Sequence, residues 1–268
     1  MAKVVILGAG IAGHTAARYL DKWLGKSHEI TVISPNAKWN WVPSNIWVGV
    51  GQMKEEDVTF DLATIYKKTN VTFKQAKGIS VHPEGDAETD NSYVTIEYTL
   101  PGKEGLKENV NYDYLINATG PKLNFGATPG LGPEHGHTVS VCTAQHALEA
   151  NHKLQAVIDR MKNGENCTIV IGTGHGMCTC QGAAFEYIYN VDHVLREAGV
   201  RDRAQGARHV RLEDDPELLG LARLDLAVEV LQGRPAAGVA GLGGERLLPG
   251  VDHRAGGLLV LDDAQDVP

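Results

Sequence analysis

Residues 3–34 read strand, glycine turn, helix, strand, and that order constrains the fold more than any other feature of the chain. KVVIL at 3–7 is a continuous apolar run, suited to a strand buried on both faces. Gly8-Ala9-Gly10-Ile11-Ala12-Gly13 follows at once, and residues 12–24 place Ala16, Leu20 and Leu24 at helical spacing. EITVIS at 29–34 predicts a second strand. In that setting GxGxxG is a dinucleotide fingerprint. The first glycine permits the tight turn, the second lets backbone approach a pyrophosphate, and the third lets helix and strand pack closely. The pyrophosphate then sits at the positive end of the helix. A glycine-rich turn without a ligand is the bland alternative, and the flanking elements weigh against it. The second strand of such units usually ends in Asp or Glu, which binds a ribose; here it ends in Ser34. A hydroxyl can still bond a ribose, but this weakens the case for NAD.

At 268 residues, the chain suits one large α/β domain or two small ones. Hydrophobic residues make up 43% and charged residues 22%, enough for a sizeable core. A formal net charge of −8 argues against nucleic acid as a partner. The N-terminus shows no signal-peptide pattern, and no 18 apolar residues run together, so a cytoplasmic chain without a membrane-spanning helix is expected. Four cysteines do not make a disulfide scaffold.

Composition changes abruptly along the chain. Residues 191–268 contain no Lys, Ile, Ser, Thr, Asn, Cys, Met, Phe, Tyr or Trp. The ten types that remain are those whose codons begin with G or C, a set that supplies roughly 60% of an ordinary globular chain. A genuine low-complexity segment is one reading. A reading-frame slip in a GC-rich gene, just beyond Ala198, is the other and is preferred here. The first 190 residues use Lys, Ile, Asn, Thr and Tyr freely, which simple GC bias would also have thinned. Residues 205–268 are accordingly expected to be an aberrant tail that packs poorly.

Three further markers precede the tail. YDYLINATGP at 112–121 predicts a short strand leaving through Ala118-Thr119-Gly120, a small-residue turn that lets backbone approach a ligand; an ordinary strand exit is the alternative. NCTIVIGTGHG at 166–176 predicts a second strand with a glycine turn, but it lacks the third glycine and runs into Met177-Cys178-Thr179-Cys180, so an NAD pocket there is doubtful. WNWVPSNIWVGVG at 39–51 carries three of the four tryptophans and reads as a loop, its rings suited to core or to a wall over a ligand.

VVILGAGIAG, VPSNIWVGVG, NATGPKL, the SVCT around Cys142 and the cysteine followed by QGAAFEY together resemble sulfide:quinone oxidoreductase over residues 3–204. The resemblance implies the glutathione reductase-like α/β fold: a Rossmann-like FAD-binding domain over 1–150 with a β-rich insertion at about 70–115. An incomplete second dinucleotide-binding-like domain would follow over 151–204. It implies FAD held by Gly8, Ala9, Gly10, Ile11, Ala12 and Gly13, with Ser34 and Pro35 near the adenosine ribose and Gly78 near adenine. Pro43 and Ser44 would lie by the flavin, and Ala118, Thr119 and Gly120 would line it.

Cys142 and Cys180 would be the redox cysteines, with Cys178 competing for the second role. A thiolate at a glycine turn opening a helix is stabilised, which raises its reactivity. Cys167, inside an apolar strand, is read as a buried inert thiol. No metal site is expected, because no CxxC pair exists. Sulfide and a membrane quinone are the implied substrates, on a prokaryotic cytoplasmic membrane surface if the chain were intact, and a homo-oligomer is left open. The family's docking helices, quinone pocket and third cysteine are not found in the tail, so this chain is expected to be inactive. A flavocytochrome sulfide dehydrogenase flavin subunit, a type II NADH dehydrogenase and a non-catalytic nucleotide-binding fragment are the alternatives.

Overall fold

The computed structural model describes residues 1–125, 132–133, 138–173, 182–208 and 258–262, with 205–208 and 258–262 as backbone. The order begins β1 (Lys3–Leu7), α1 (Ile11–Leu24), β2 (Glu29–Ser34), β3 (Lys38–Asn40), α2 (Asn45–Gly49) and α3 (Glu55–Val58). It continues with β4 (Thr59–Asp61), α4 (Leu62–Tyr66), β5 (Val71–His82), β6 (Tyr93–Tyr98), β7 (Lys107–Asn111) and β8 (Tyr114–Asn117). The remaining elements are α5 (Ala144–Lys162), β9 (Cys167–Thr173), α6 (Gly182–Glu197), β10 (Ala204–Arg208) and β11 (Leu258–Asp262). The chain divides into two compact units, Met1–Trp41 with Thr59–Pro121 and Val42–Val58 with Lys122–Pro268.

The first unit is a six-stranded sheet in the order β7-β6-β5-β2-β1-β8. β1 pairs in parallel with β2 and β8, and β2 with β5, while β6 and β7 extend the sheet antiparallel. The apolar run of β1 is continuous because both of its faces are covered. Val4 and Ile6 pack with Ala17, Ile30, Val32, Leu62 and Tyr66, whereas Val5 and Leu7 pack with Ile33, Ala76, Val94 and Ile96. Parallel β1-α1-β2 is the Rossmann-like start that the glycine turn predicts.

The second unit centres on β9, flanked by parallel β10 and antiparallel β11. Its core joins Leu154, Ile158 and Met161 of α5 to Ile171 of β9 and to Tyr187, Ile188 and Leu195 of α6. One feature differs from the sequence reading. Residues 39–51 are not a loop: they form β3, a 3₁₀ turn at Val42–Ser44, and α2. Ile46, Val48, Val50 and Val58 are buried in the same core as α5, β9 and α6, and this burial assigns them to the second unit.

Most of the tail lies outside the described residues, as do the expectations about its packing. Its described parts are the end of β10 and β11, the latter pairing with β9 from Leu258 opposite Thr173 to Asp262 opposite Ile169. No described helix is long and apolar enough to cross a membrane.

Candidate functional site

The glycine turn is built by close approach. Gly8 has φ +96°, and a Cβ there would lie 2.2 Å from the Ala118 carbonyl oxygen; one on Gly13 would lie 2.0 Å from the Gly8 oxygen. Backbone bonds from Gly8 N–H to the Ile33 oxygen at 2.8 Å and from Ala118 N–H to the Leu7 oxygen at 2.7 Å hold the turn to β2 and β8. A Cβ on Gly10, by contrast, would meet nothing within 4 Å. Gly10 caps α1 without a side-chain hydrogen bond, and the first turn carries no acidic residue. Helix N–H donors left without intrahelical partners, together with the helix dipole, favour an anion at this position.

The other expected flavin-contacting residues divide between the units. Ala9 is buried, while Ile11 and Ala12 are exposed. Gly120 has φ +69° and open space at its Cβ position. Thr119 is tied back to Asn117 by its N–H and its hydroxyl, both donating to the Asn117 Oδ1. Ser34 is buried, and its hydroxyl oxygen accepts the Asn36 N–H at 3.3 Å; the exposed Pro35 accepts the Thr99 hydroxyl at 2.8 Å. Gly78 is exposed at the register shift between β5 and β6. Pro43 and Ser44 sit in the 3₁₀ turn of the second unit.

Cys142 is half-buried directly before Thr143, the N-cap of α5. Its N–H donates to the Ser140 oxygen at 3.3 Å, and the Ser140 hydroxyl is 2.8 Å from His146 Nδ1. Thr143 in turn accepts the His146 N–H at 3.1 Å. This clasp is a feature the sequence reading missed; the S-x-C-x₃-H spacing, with His146 on the first helical turn, is the signal that could have found it. Cys167 is buried in β9. Cys178 and Cys180 lie outside the described residues, as does the second glycine turn.

Residues 2–212 match the profile of the family described as pyridine nucleotide-disulphide oxidoreductase. The chain belongs to that family. Sulfide-quinone reductase of Aquifex aeolicus (strain VF5) is 35% identical over 202 residues, 75% of this chain and 41% of that protein. External alternative NAD(P)H-ubiquinone oxidoreductase B3 of Arabidopsis thaliana is 30% identical over 131 residues, 48% of this chain and 21% of that protein. The solved sulfide:quinone oxidoreductase from Aquifex aeolicus aligns with a TM-score of 0.61 at 30% identity, covering 76% of this chain and 42% of that one. NDH2 from Plasmodium falciparum, with a TM-score of 0.57 at 18% identity, shares the fold over 75% of this chain and 39% of that one.

This member of the pyridine nucleotide-disulphide oxidoreductase family thus spans about two fifths of the Aquifex proteins it matches. By resemblance it is part of an oxidoreductase, and the family and its relatives support flavin binding. The family match extends to residue 212, a few residues past the stretch that sequence resemblance covers.

Proposed function

We infer that this chain is the flavin-binding part of a sulfide:quinone oxidoreductase. The carrying observation is the glycine turn, which shuts tightly on Ala118 at Gly8 and on itself at Gly13 yet leaves the Gly10 position open. That is the shape a dinucleotide pyrophosphate requires. Gly8–Gly13, Ser34, Pro35, Gly78 and Ala118–Gly120 would hold FAD. The Aquifex relatives, named for sulfide and quinone, support the reading. FAD, when bound, supplies the two-electron acceptor that links sulfide oxidation to a membrane quinone.

The chain's own contribution is thiol chemistry. In the oxidised protein Cys142 would be disulfide-bonded to Cys180, or to Cys178. Hydrosulfide attacks one sulfur, the S–S bond breaks, a persulfide forms there, and the other cysteine leaves as thiolate. The Ser140–His146 clasp fixes the backbone on which Cys142 is carried. The test uses the protein with its reading frame restored beyond Ala198: FAD, sulfide and a soluble quinone analogue are added and quinone reduction is followed. Sulfide-dependent reduction is expected. Reduction driven by NADH and indifferent to sulfide would overturn the reading in favour of the NAD(P)H-quinone relatives.

A further inference from the structure

The Trp39 and Trp41 rings have no part in the function proposed above. In the first unit, Trp39 is stacked between two rings, Phe60 at 4.7 Å and 18° and Trp41 at 5.8 Å and 20°. Trp41 is 44% exposed, so the stack has a surface end. At its other side the His14 ring lies 6.1 Å from Trp39 and 5.5 Å from both Phe60 and Tyr66. Tyr66 is 2% exposed, and its hydroxyl is 2.9 Å from His14 Nδ1. Ring contacts therefore run without a break from solvent to a buried phenol.

Protons separate the two kinds of ring. Trp39 Nε1 is buried and has no hydrogen-bond partner among the described residues. A buried unpaired donor is costly, and packing alone gives no reason to keep one. It has a redox consequence. An oxidised indole is a far stronger acid than the neutral ring, and losing its N–H proton to a neighbour traps the hole there; among the described residues Trp39 Nε1 has no partner to take that proton.

Tyr66 is the opposite case. Its oxidation needs the O–H proton to leave with the electron, and His14 Nδ1 is in hydrogen-bond contact to receive it. Burial, with a smaller effect from the nearby Arg18 charge, holds the His14 imidazolium below its usual range, so the ring is neutral and accepting near pH 7. Burial pushes the Tyr66 phenol up to about 12, so it keeps its proton until an electron leaves.

We propose that Trp41, Trp39 and Tyr66 form a one-electron relay, with Tyr66 as its terminus and His14 as the proton acceptor. An outer-sphere one-electron oxidant takes an electron from the Trp41 indole and leaves a radical cation. Trp39 gives an electron to Trp41 and becomes the radical cation in turn. Tyr66 gives an electron to Trp39 as its O–H bond breaks, and the proton forms an N–H bond at His14 Nδ1. The net result is one electron moved from Tyr66 to the oxidant, a phenoxyl radical beside an imidazolium, and both indoles restored. The relay gives this unit a sink for one-electron oxidation that is separate from the two-electron sulfur chemistry and does not depend on it.

The full chain should be tested with Tyr19→Phe, Trp23→Phe, Trp47→Phe, Tyr114→Phe and Tyr189→Phe in place, because these exposed rings would compete for the oxidant. A photogenerated ruthenium(III) polypyridyl complex serves as the oxidant, and time-resolved absorption distinguishes tryptophanyl from tyrosyl radicals. The tryptophanyl signal should decay into a tyrosyl signal, with a solvent deuterium isotope effect. Tyr66→Phe should remove the tyrosyl signal and prolong the tryptophanyl one. His14→Gln should slow the transfer and lose the isotope effect, a readout that packing would not alter. Trp41→Phe, which keeps an aromatic ring at a site 44% exposed, should lower the tyrosyl yield. An undiminished tyrosyl signal in Tyr66→Phe or Trp41→Phe, or an unchanged rate and isotope effect in His14→Gln, would overturn the relay.

Discussion

A Cβ on Gly13 would sit 2.0 Å from the carbonyl oxygen of Gly8, inside van der Waals contact with rigid backbone, whereas one on Gly10 would touch nothing within 4 Å. Two glycines of one motif therefore answer to different demands, one to the protein and one to its ligand. Gly13→Ala should destabilise the first unit by about 1–3 kcal/mol, the usual cost of overpacking. Gly10→Ala should change stability by no more than about 0.5 kcal/mol yet weaken FAD binding, since Gly10 has φ −70° and no strain to relieve. Thermal melts of the flavin-free protein and a flavin fluorescence titration separate the two effects. Unweakened flavin binding by Gly10→Ala would count against the pyrophosphate site.

Cys142 and Cys167 should respond to serine in opposite ways. In the protein with its reading frame restored, Cys142→Ser should keep bound flavin and lose sulfide-dependent quinone reduction, because the proposed role is chemical. Cys167 is 5% exposed in β9, and Cys167→Ser should instead cost about 1–2 kcal/mol of stability with activity retained. Flavin content, denaturation midpoint and quinone turnover, measured on both variants, check this.

What the chain's order reveals depends on how local each decision is. Lys3–Leu7 and Glu29–Ser34 are legible to the residue, because a strand covered on both faces needs only an apolar run between breaks. The glycine roles are legible for the same reason, since turn, helix and strand are neighbours in sequence. Residues 39–51 are not. β3 exists because Trp39 pairs with Phe60, and α2 is anchored by Asn45, whose buried side chain donates to the Val141 oxygen at 3.1 Å. Partners 21 and 96 residues away leave no local trace. The His14–Tyr66 contact, across 52 residues, is hidden in the same way.

His14 also makes stability depend on pH. Its folded pKa lies below the ordinary 6.5, so below that value the unfolded chain binds a proton that the folded chain resists. Stability should therefore be full above about pH 6.5 and decline as pH falls toward the lowered value. Denaturant midpoints measured from pH 7.5 downward should show the decline, and His14→Gln should flatten the part due to this residue.

Tyr187 offers a test of the second unit. It is fully buried, burial raises its phenol above the ordinary range, and its hydroxyl donates to the Gly49 carbonyl at 2.9 Å. Tyr187→Phe keeps the ring but orphans that carbonyl, so it should cost about 1–3 kcal/mol. Urea denaturation of the variant checks the value. A neutral result would mean that the Gly49 carbonyl readily finds another donor.

The tail makes the last prediction. Residues 201–268 hold eight Arg, twelve Asp and Glu together, ten Gly and no aromatic residue. Nothing in folding physics selects amino acids by the first base of their codons, and a chain under selection for a packed core uses Ile and aromatics. A slip that moves the GC-rich wobble base into first position yields this alphabet without selection. β10 continues the parallel pairing with β9, and the family match runs to residue 212, so native coding extends somewhat past the place where the alphabet narrows. Sequencing the gene through this region should show, in another frame, a stretch that restores Lys, Ile and aromatic residues. If all three frames lack them, the narrow alphabet belongs to the protein itself and the frame-slip reading falls.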